Sequence, residues 1–407
     1  MLGAGGAAWL TAQERRRSTR ETLAYAAGGS LWIRDLPDGS PQPLVSGARL
    51  GTPRISPSGE WIAYRQGDAA CVVACSGGAP RQLGEGAFAW RSGRDELLIE
   101  QDSGLSVCGG ANRWDGPLRT IPEAGLPVAF SPDGGELVYA VREGELGSLR
   151  RARADSAGAA QTLVVRDGDG LIPYAWLGDS IWYWVDPDFS GSQRCDGLEL
   201  FRIPAGGGAS QALGVATLLN EDFLALSPGG GRLALTVGND RRSWYNKRIA
   251  LVDRTAGAVR YLTAAGIAAI SPAWSPDGSR MAYSAVSEDS ADVWGGQPAR
   301  RVLEGRRIWL AETTGNSPPV RLTADDRFRD EEPRFLADGR HILFCRIERG
   351  PRDSTLKSIW LMDDGGGNLT RIAGPLQGDA SFEEDGWFGY YGTIDWRAAL
   401  DYHRGGN

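Results

Sequence analysis

Hydrophobic and polar positions alternate along this chain in short bursts, without the three-and-four spacing of amphipathic helices. In residues 269–286, "AISPAWSPDGSRMAYSAV", an apolar run ends on Trp274, a Ser-Pro-Asp-Gly turn follows, and a second β-forming run starts at Met281. Pro276 fixes φ in that turn, Asp277 bonds the local backbone, and Gly278 tolerates positive φ. Worn copies of the same pattern end their first strand on Ile55, Trp90, Phe130, Trp176, Leu226 and Phe335. Trp396, in "GTIDWRAA", sits in a similar inner-strand pattern with no hairpin after it. The anchors are 35, 40, 46, 50, 48, 61 and 61 residues apart, in or near the range of a four-stranded propeller blade with loops inserted in the second half.

Each copy predicts four strands joined as hairpins. The turn is followed by a β-rich run such as Ile342-Leu343-Phe344. Next come a variable loop, a strand like "RIALVD" or "SIWLMD", a glycine turn, and a polar strand ending on Leu262, Leu322 or Ile372. One such sheet buries too little to stand alone, so neighbours must stack around an axis. The expected fold is all-β: a β-propeller of four-stranded antiparallel blades, eight by this count, or seven if the weak copy after Trp90 is degenerate. The first clear element, "TLAYAAGGSLWIRDLPDGSPQPLV", supplies three outer strands and no inner one. The C-terminal strand is therefore expected to complete the N-terminal blade and remove an open edge. Residues 1–21 are expected to be a loose arm or the remnant of a signal or anchor, and residues 22–407 a single propeller domain.

Composition agrees with this picture. Glycine (57) and tryptophan (15) are abundant and histidine nearly absent (2), as suits a turn-rich β protein. The net charge of −7 argues against nucleic acid as a partner. The apolar start "MLGAGGAAWLTA" is too short to span a bilayer, and no other segment is a membrane candidate. Cys71, Cys75, Cys108, Cys195 and Cys345 read as small side chains, most of them buried, rather than a disulfide or zinc framework. A monomer is expected.

The repeat resembles the TolB-like propeller repeat (WD40-like, PD40-type), whose pattern is roughly Pro-x-Trp-Ser-Pro-Asp-Gly, a hydrophobic strand, Ile-Trp-x-x-Asp, a Gly-Gly turn and Leu-Thr. The best matches are residues 272–283 with 308–310 and Leu322-Thr323, and residues 338–344 with 359–363. The resemblance runs from about Thr22 to Trp396. It implies a propeller that binds protein partners, in an extracytoplasmic or periplasmic setting of the bacterial cell envelope; a cytoplasmic location is the alternative. Two departures from TolB are expected: a larger blade count, and no α/β domain of the TolB kind read ahead of the propeller.

The insertions point to a loaded face. "DPDFSGSQRCDG" (186–197), "GNDRRSWYNK" (238–247), residues 287–306 and residues 348–357 all join second to third strands. Long loops beyond minimal turns tend to carry function. Trp244, Tyr245 and Trp294 are candidate interface anchors, with Arg241 and Arg301 as partners for carboxylates or phosphates. The links 219–223 and 324–333 reach the same face, so Glu221, Asp222, Asp330, Glu331 and Glu332 are candidates for an acidic funnel mouth. Asp186, Asp188 and Asp196 have some oxygen-ligand character, but the loop lacks the EF-hand glycine and glutamate, so a calcium site is only weakly signalled and no cofactor is expected. No Gly-x-Ser-x-Gly, Walker or dinucleotide motif is present, and two histidines do not assemble a triad. The expected function is a non-catalytic scaffold for a protein or peptide. The alternative is a propeller lyase or hydrolase using acidic channel residues and a divalent cation.

Overall fold

The computed structural model describes residues 20–110, 114–156, 158–288, 296–315, 317–349, 355–377 and 392–405. Its strands form six four-stranded sheets and one eight-stranded sheet, with every pairing antiparallel. The eight-stranded sheet is two halves, residues 169–217 and 224–261, which meet at the single pair Thr217–Val237.

The repeated turn works as its sequence requires. Gly278 takes φ +70° and donates its N–H to the Ser275 carbonyl at 2.9 Å. The Ser275 hydroxyl donates to Asp277 Oδ1 at 2.5 Å, and the Ser279 N–H reaches the same oxygen at 3.0 Å. Ser131 and Asp133 repeat the arrangement at 2.6 Å. The weak copy after Trp90 also makes a full sheet, of Phe88–Trp90, Glu96–Gln101, Gly104–Gly109 and Pro117–Pro122. There Arg91 replaces the serine and lies fully buried, bound to Glu96 at 2.8 Å and Asp155 at 2.6 Å.

Consecutive sheets pack face to face. Leu31 and Ile33 meet Ile62 and Tyr64; Val72 meets Leu97; Leu105 meets Leu137 and Tyr139. The series continues through Val138 with Tyr183, Leu200 with Leu233, Leu251 with Met281, and Ile308 with Phe344. It then returns to its start, because Leu343 and Ile359 of the last sheet share a cluster with Leu23 and Tyr25 of the first. Each large apolar side chain buried in such a seam contributes about 1.5–3 kcal/mol. The closed succession of seams is what makes the molecule a β-propeller. Anchor tryptophans stitch it further: Trp274 Nε1 donates to the Ala225 carbonyl at 2.9 Å and Trp90 Nε1 to the Arg54 carbonyl at 2.8 Å, each on the preceding sheet.

The chain ends meet as the alternation implied. Strand Leu400–His403 pairs with Thr22–Ala27 in the register Thr22–His403 to Tyr25–Leu400, inside the sheet that also holds Ser30–Asp35 and Gln42–Ser46. The position expected for Trp396 needs correction. It lies in a 3-10 turn, Trp396–Ala398, just before the inner strand, because Asp395 Oδ1 accepts the Arg397 N–H and caps that turn. Two short helices occupy insertions: α1 (Gly191–Asp196) and α2 (Gly296–Glu304). Among the described residues no helix is long and apolar enough to cross a membrane.

Candidate functional site

Two features are built from the insertions and from the links that enter the inner strands, and they are joined to each other through Arg306, Glu331 and Trp396. The first is an axial cluster built by the inner strands and the links that enter them. Inner strands Leu50–Ile55, Ile267–Trp274 and Phe328–Phe335 each carry a bulge at a residue before proline, with Thr52, Ser271 and Glu332 at φ +49°, +56° and +50°. Such left-handed non-glycine positions are strained and tend to re-aim side chains. In neighbouring sheets this brings Ser271 Oγ into hydrogen-bond contact with Glu332 Oε1. Glu332 Oε2 lies 3.6 Å from Arg334 Nη2. Asp222, in the short turn Glu221–Phe223, receives Arg334 Nη2 at 2.5 Å and Arg397 Nε at 3.1 Å on the same oxygen. Arg397 also pairs with Glu221 at the exposed rim. Asp401 Oδ2 accepts the Ile55 N–H at 2.7 Å, and Arg54 Nη1 donates to the Arg397 carbonyl at 2.7 Å.

A cavity of about 120 Å³ opens among these groups. Asp222, Glu332, Arg334, Arg397 and Asp401 form its polar side; Leu343, Phe344, Ile359, Trp396 and Leu400 form its apolar wall. Burial, reinforced by the neighbouring Asp222 charge, pushes the Glu332 carboxyl up to about 8. Burial also raises Asp401, against the opposing pull of Arg54. Asp222 moves the other way: burial would raise it, but Arg397 and Arg334 together hold it well below the usual carboxylate range.

Of the five acidic candidates, Asp222 and Glu332 line this cavity and Glu221 stands at its rim. Asp330 and Glu331 do not join the mouth. Asp330 is fully buried in a two-point pair with Arg346, at 2.7 and 3.0 Å, and the Arg346 guanidinium lies over the Phe328 and Trp360 rings, at 4.3 and 4.8 Å. Glu331 is buried between Arg306 and Arg329, and its other oxygen accepts Trp396 Nε1 at 3.3 Å. Asp330 thereby ties two strands of the last sheet together, and Glu331 holds that sheet to the closing segment through Trp396. Arg334, Arg397 and Asp401 were not among the sequence candidates, although the Glu-Pro-Arg-Phe bulge, parallel to Ser-Pro-Ala-Trp and Thr-Pro-Arg-Ile, was a usable signal for Glu332 and Arg334.

The second feature is a platform of insertion loops. Arg241 grips Asp196 at the end of α1 with two contacts of 2.7 Å and reaches Ser192 Oγ at 3.0 Å. The Asn246 N–H donates to Glu288 Oε1 at 2.7 Å. Ser243 Oγ donates to the Gly392 carbonyl at 3.0 Å and accepts from Arg306 Nη2 at 2.8 Å, which ties the loop to the closing segment. Trp244 is not presented to solvent: it is 1% exposed and packs on Ala268, Val286, Ala299 and Leu303, holding α2 down. Tyr245 is half-buried, under the Arg242 guanidinium at 4.4 Å. Arg301 is exposed on α2, and Trp294 lies outside the described residues. Lys247 is buried beneath this loop, where its ammonium donates to the Tyr245 carbonyl at 3.1 Å and burial lowers it to about 8.

In the loop considered for calcium, Asp186 is buried against Arg194 at 2.6 Å and Asp196 is committed to Arg241. Among the described residues no set of three His, Cys, Asp or Glu side chains is placed to hold a metal ion. Cys195 is half-buried and the other four cysteines are buried.

No family model matches the chain, and no curated protein matches it by sequence. Among solved structures it is similar to the putative TolB of Agrobacterium tumefaciens (13% identity, 86% of this chain and 88% of that one, TM-score 0.38). It is also similar to TolB of Acinetobacter baumannii (17% identity, 72% and 61%, TM-score 0.36). Superpositions that loose carry no argument. A eukaryotic initiation factor covers 87% of this chain and 96% of its own at 13% identity, with a TM-score of 0.51, a likeness of fold alone. The fold implied by the resemblance of the repeats is the one observed.

Proposed function

We propose that this chain is a binding scaffold that takes a protein or peptide across its loop-bearing face, with eight blades serving as a rigid support. One observation carries this reading. Insertions from three successive four-stranded units are interlocked, by Arg241 with Asp196 and by Asn246 with Glu288, and are anchored to the closing segment through Gly392. Loops fixed to one another in this way keep a constant shape, which lowers the entropy lost on binding. Tyr245 and Arg301 offer an aromatic and a charged contact on that platform, residue types that often anchor interfaces. The resemblance of the repeats adds a cell-envelope setting.

The test is selection of peptides from a random displayed library on the full chain. The double variant Tyr245→Ala/Arg301→Ala serves as the counter-target, and its fold is checked by circular dichroism. Selected peptides should bind the variant at least about tenfold more weakly. Equal binding to both proteins would remove the platform from the interface.

A further inference from the structure

We propose that a groove between the two halves of the eight-stranded sheet receives a carboxylate on a short aliphatic stem, with Arg254 and Arg202 as its guanidinium partners. This site is separate from the loop platform and goes beyond the role proposed for it.

The groove has a volume of about 360 Å³, and Ser180, Arg202, Pro204, Gln211 and Arg254 are among the residues that line it. Ser180 opens the strand Ser180–Pro187 and Pro204 ends Leu198–Pro204, whereas α1 joins the other ends of those two strands. The groove therefore lies at the strand ends remote from the insertion.

The repeat supplies an internal comparison. In the preceding sheet Arg151 stands opposite Val138, two residues past Glu136. Here Arg202 stands opposite Trp182, two residues past Ser180. Both arginines reach across a seam to a backbone carbonyl of the next four-stranded unit, Arg151 Nη1 to Ala205 at 3.0 Å and Arg202 Nη1 to Arg254. On the outer strands, Gln161 is paired with Arg151 and Gln211 with Arg202. Glu136 closes on Arg151 Nε and Nη2 at 2.7 to 3.0 Å. Ser180 stands in the place of that glutamate, and the neutral Gln211 amide oxygen takes Arg202 Nε and Nη2 instead, at 2.9 and 2.7 Å. One sheet carries this carboxylate in its own sequence; the next keeps the arginine and lacks the acid.

Arg254 adds a second unbalanced charge. The Arg254 and Ala205 N–H groups both donate to the turn before their neighbouring strand, at 3.0 Å to Gly231 and 2.8 Å to Asp179. At the matching positions of later sheets, the Thr313 hydroxyl donates to the Gly278 carbonyl at 2.7 Å and Asp364 pairs with Arg280 at 2.6 Å. Among the described residues the Arg254 guanidinium has no hydrogen bond and no ion pair, and Arg202 has no ion pair. The Arg254 guanidinium lies across Gly178, where a Cβ would come within 3.1 Å of its Cζ and where φ is +62°. Glycine suits that position on both counts.

On the lining, these two guanidiniums face one carboxylate, Asp179, which is exposed and accepts the Ser180 hydroxyl at 3.1 Å. Just outside it, Asp253 accepts the Thr255 and Ala256 N–H groups at 2.9 and 2.7 Å, and the charges of Arg202 and Arg232 both act on it. Counting Asp253 and Arg232 leaves the same excess of one positive charge. Guanidinium groups pair with carboxylates at two points. The residue replaced in the repeat is a glutamate, which selects a carboxylate carried on methylenes. Pro204 and Ala209 give those methylenes an apolar edge. The volume equals that of roughly twelve waters, room for a side chain of a few carbons. Gln211 is exposed, so its amide can yield the Arg202 edge to a charged acceptor, which bonds more strongly.

Calorimetry on the full chain, in chloride at about 0.15 M, reads the binding of sodium butyrate against n-butanol and inorganic phosphate. Butyrate should bind saturably, with the alcohol and phosphate at least about tenfold weaker. Arg254→Gln should weaken butyrate at least about tenfold. Ser180→Glu, which gives Arg202 the partner that Arg151 already has, should do the same. Circular dichroism checks the fold of both, and Arg254→Gln decides the matter if Ser180→Glu misfolds. N-acetyl-glutamate amide and N-acetyl-alanyl-alanine then separate the sources: tighter binding of the first assigns an acidic side chain, and of the second a chain carboxyl terminus. No saturable butyrate binding up to about 10 mM, equal binding of butanol, phosphate binding as tightly as butyrate, or a folded Arg254→Gln that binds like the parent overturns the proposal. Tyr245→Ala/Arg301→Ala should bind butyrate as the parent does, so failure at the groove and failure at the platform are read separately.

Discussion

Replacing Trp396 by alanine strikes the point where the last sheet, the first sheet and the closing segment share one core. The ring is 2% exposed, inside the cluster that contains Leu23, Tyr25, Leu343, Ile359 and Ile394, and its Nε1 donates to the buried Glu331. Truncating a buried tryptophan costs about 3–5 kcal/mol, from lost transfer energy and the void left behind. The lost donor to Glu331 Oε2 adds to that, while Arg306 and Arg329 continue to pair with Oε1. For a chain of 407 residues the unfolding entropy near 60 °C is about 0.8–0.9 kcal/mol/K, so the substitution should lower the melting temperature by roughly 4–6 °C. Differential scanning calorimetry measures this directly, with Leu118→Ala as the control. Leu118 is 51% exposed on an outer strand, and its loss should stay within about 0.5 kcal/mol. If Trp396→Ala melts within about 1 °C of the parent, Trp396 does not support the seam between the chain ends.

Other outcomes follow from the same geometry. Glu332 has a folded-state value near 8, above its unfolded one, so the native chain holds an extra proton between about pH 4.5 and 8. Its contribution is fully present below that window and is lost as pH rises through it; Glu332→Gln should flatten this part of the stability profile in denaturant titrations. A profile unchanged by the substitution would contradict the assignment. Arg346→Leu leaves Asp330 as a buried unpaired carboxylate and should destabilise by about 3–5 kcal/mol, read as a lower urea midpoint. Lys247, lowered by burial to about 8, should make stability rise with pH between about 8 and 10.5, and Lys247→Met should remove that rise.

Local chemistry made the fold readable and long-range chemistry kept much of the site hidden. Ser275-Pro276-Asp277-Gly278 specifies its own turn within a few residues, so each copy was visible in the sequence, and the missing inner strand at Thr22 pointed to the C-terminus for completion. Trp396 was misplaced because Ile394-Asp395-Trp396 alternates like a strand, while the Asp395 cap that makes it a turn depends on three-dimensional placement. Glu221, Asp222 and Glu332 were singled out as acids near an axis. Their partners Arg334 and Arg397 lie 112 and 175 positions from Asp222, and no spacing rule reaches that far. Asp330 and Glu331 looked the same as Glu332 in sequence. Strand alternation and one bulge send them into different surroundings, two into complete ion pairs and one into an open cavity. Trp244 resembled an exposed anchor because its loop is polar, but α2 supplies Ala299 and Leu303 to cover it.

The most direct test of the whole account is whether the two ends of the chain pair in the stated register. Thr22→Cys combined with His403→Cys places two thiols on directly opposed residues of Thr22–Ala27 and Leu400–His403. Mild oxidation of the folded protein, followed by mass mapping, should give the 22–403 crosslink in high yield, and Thr22→Cys paired with Leu118→Cys should give none. A folded double variant that never forms the 22–403 bond would show that the last strand does not close the first sheet, and the sealed ring of sheets would have to be abandoned.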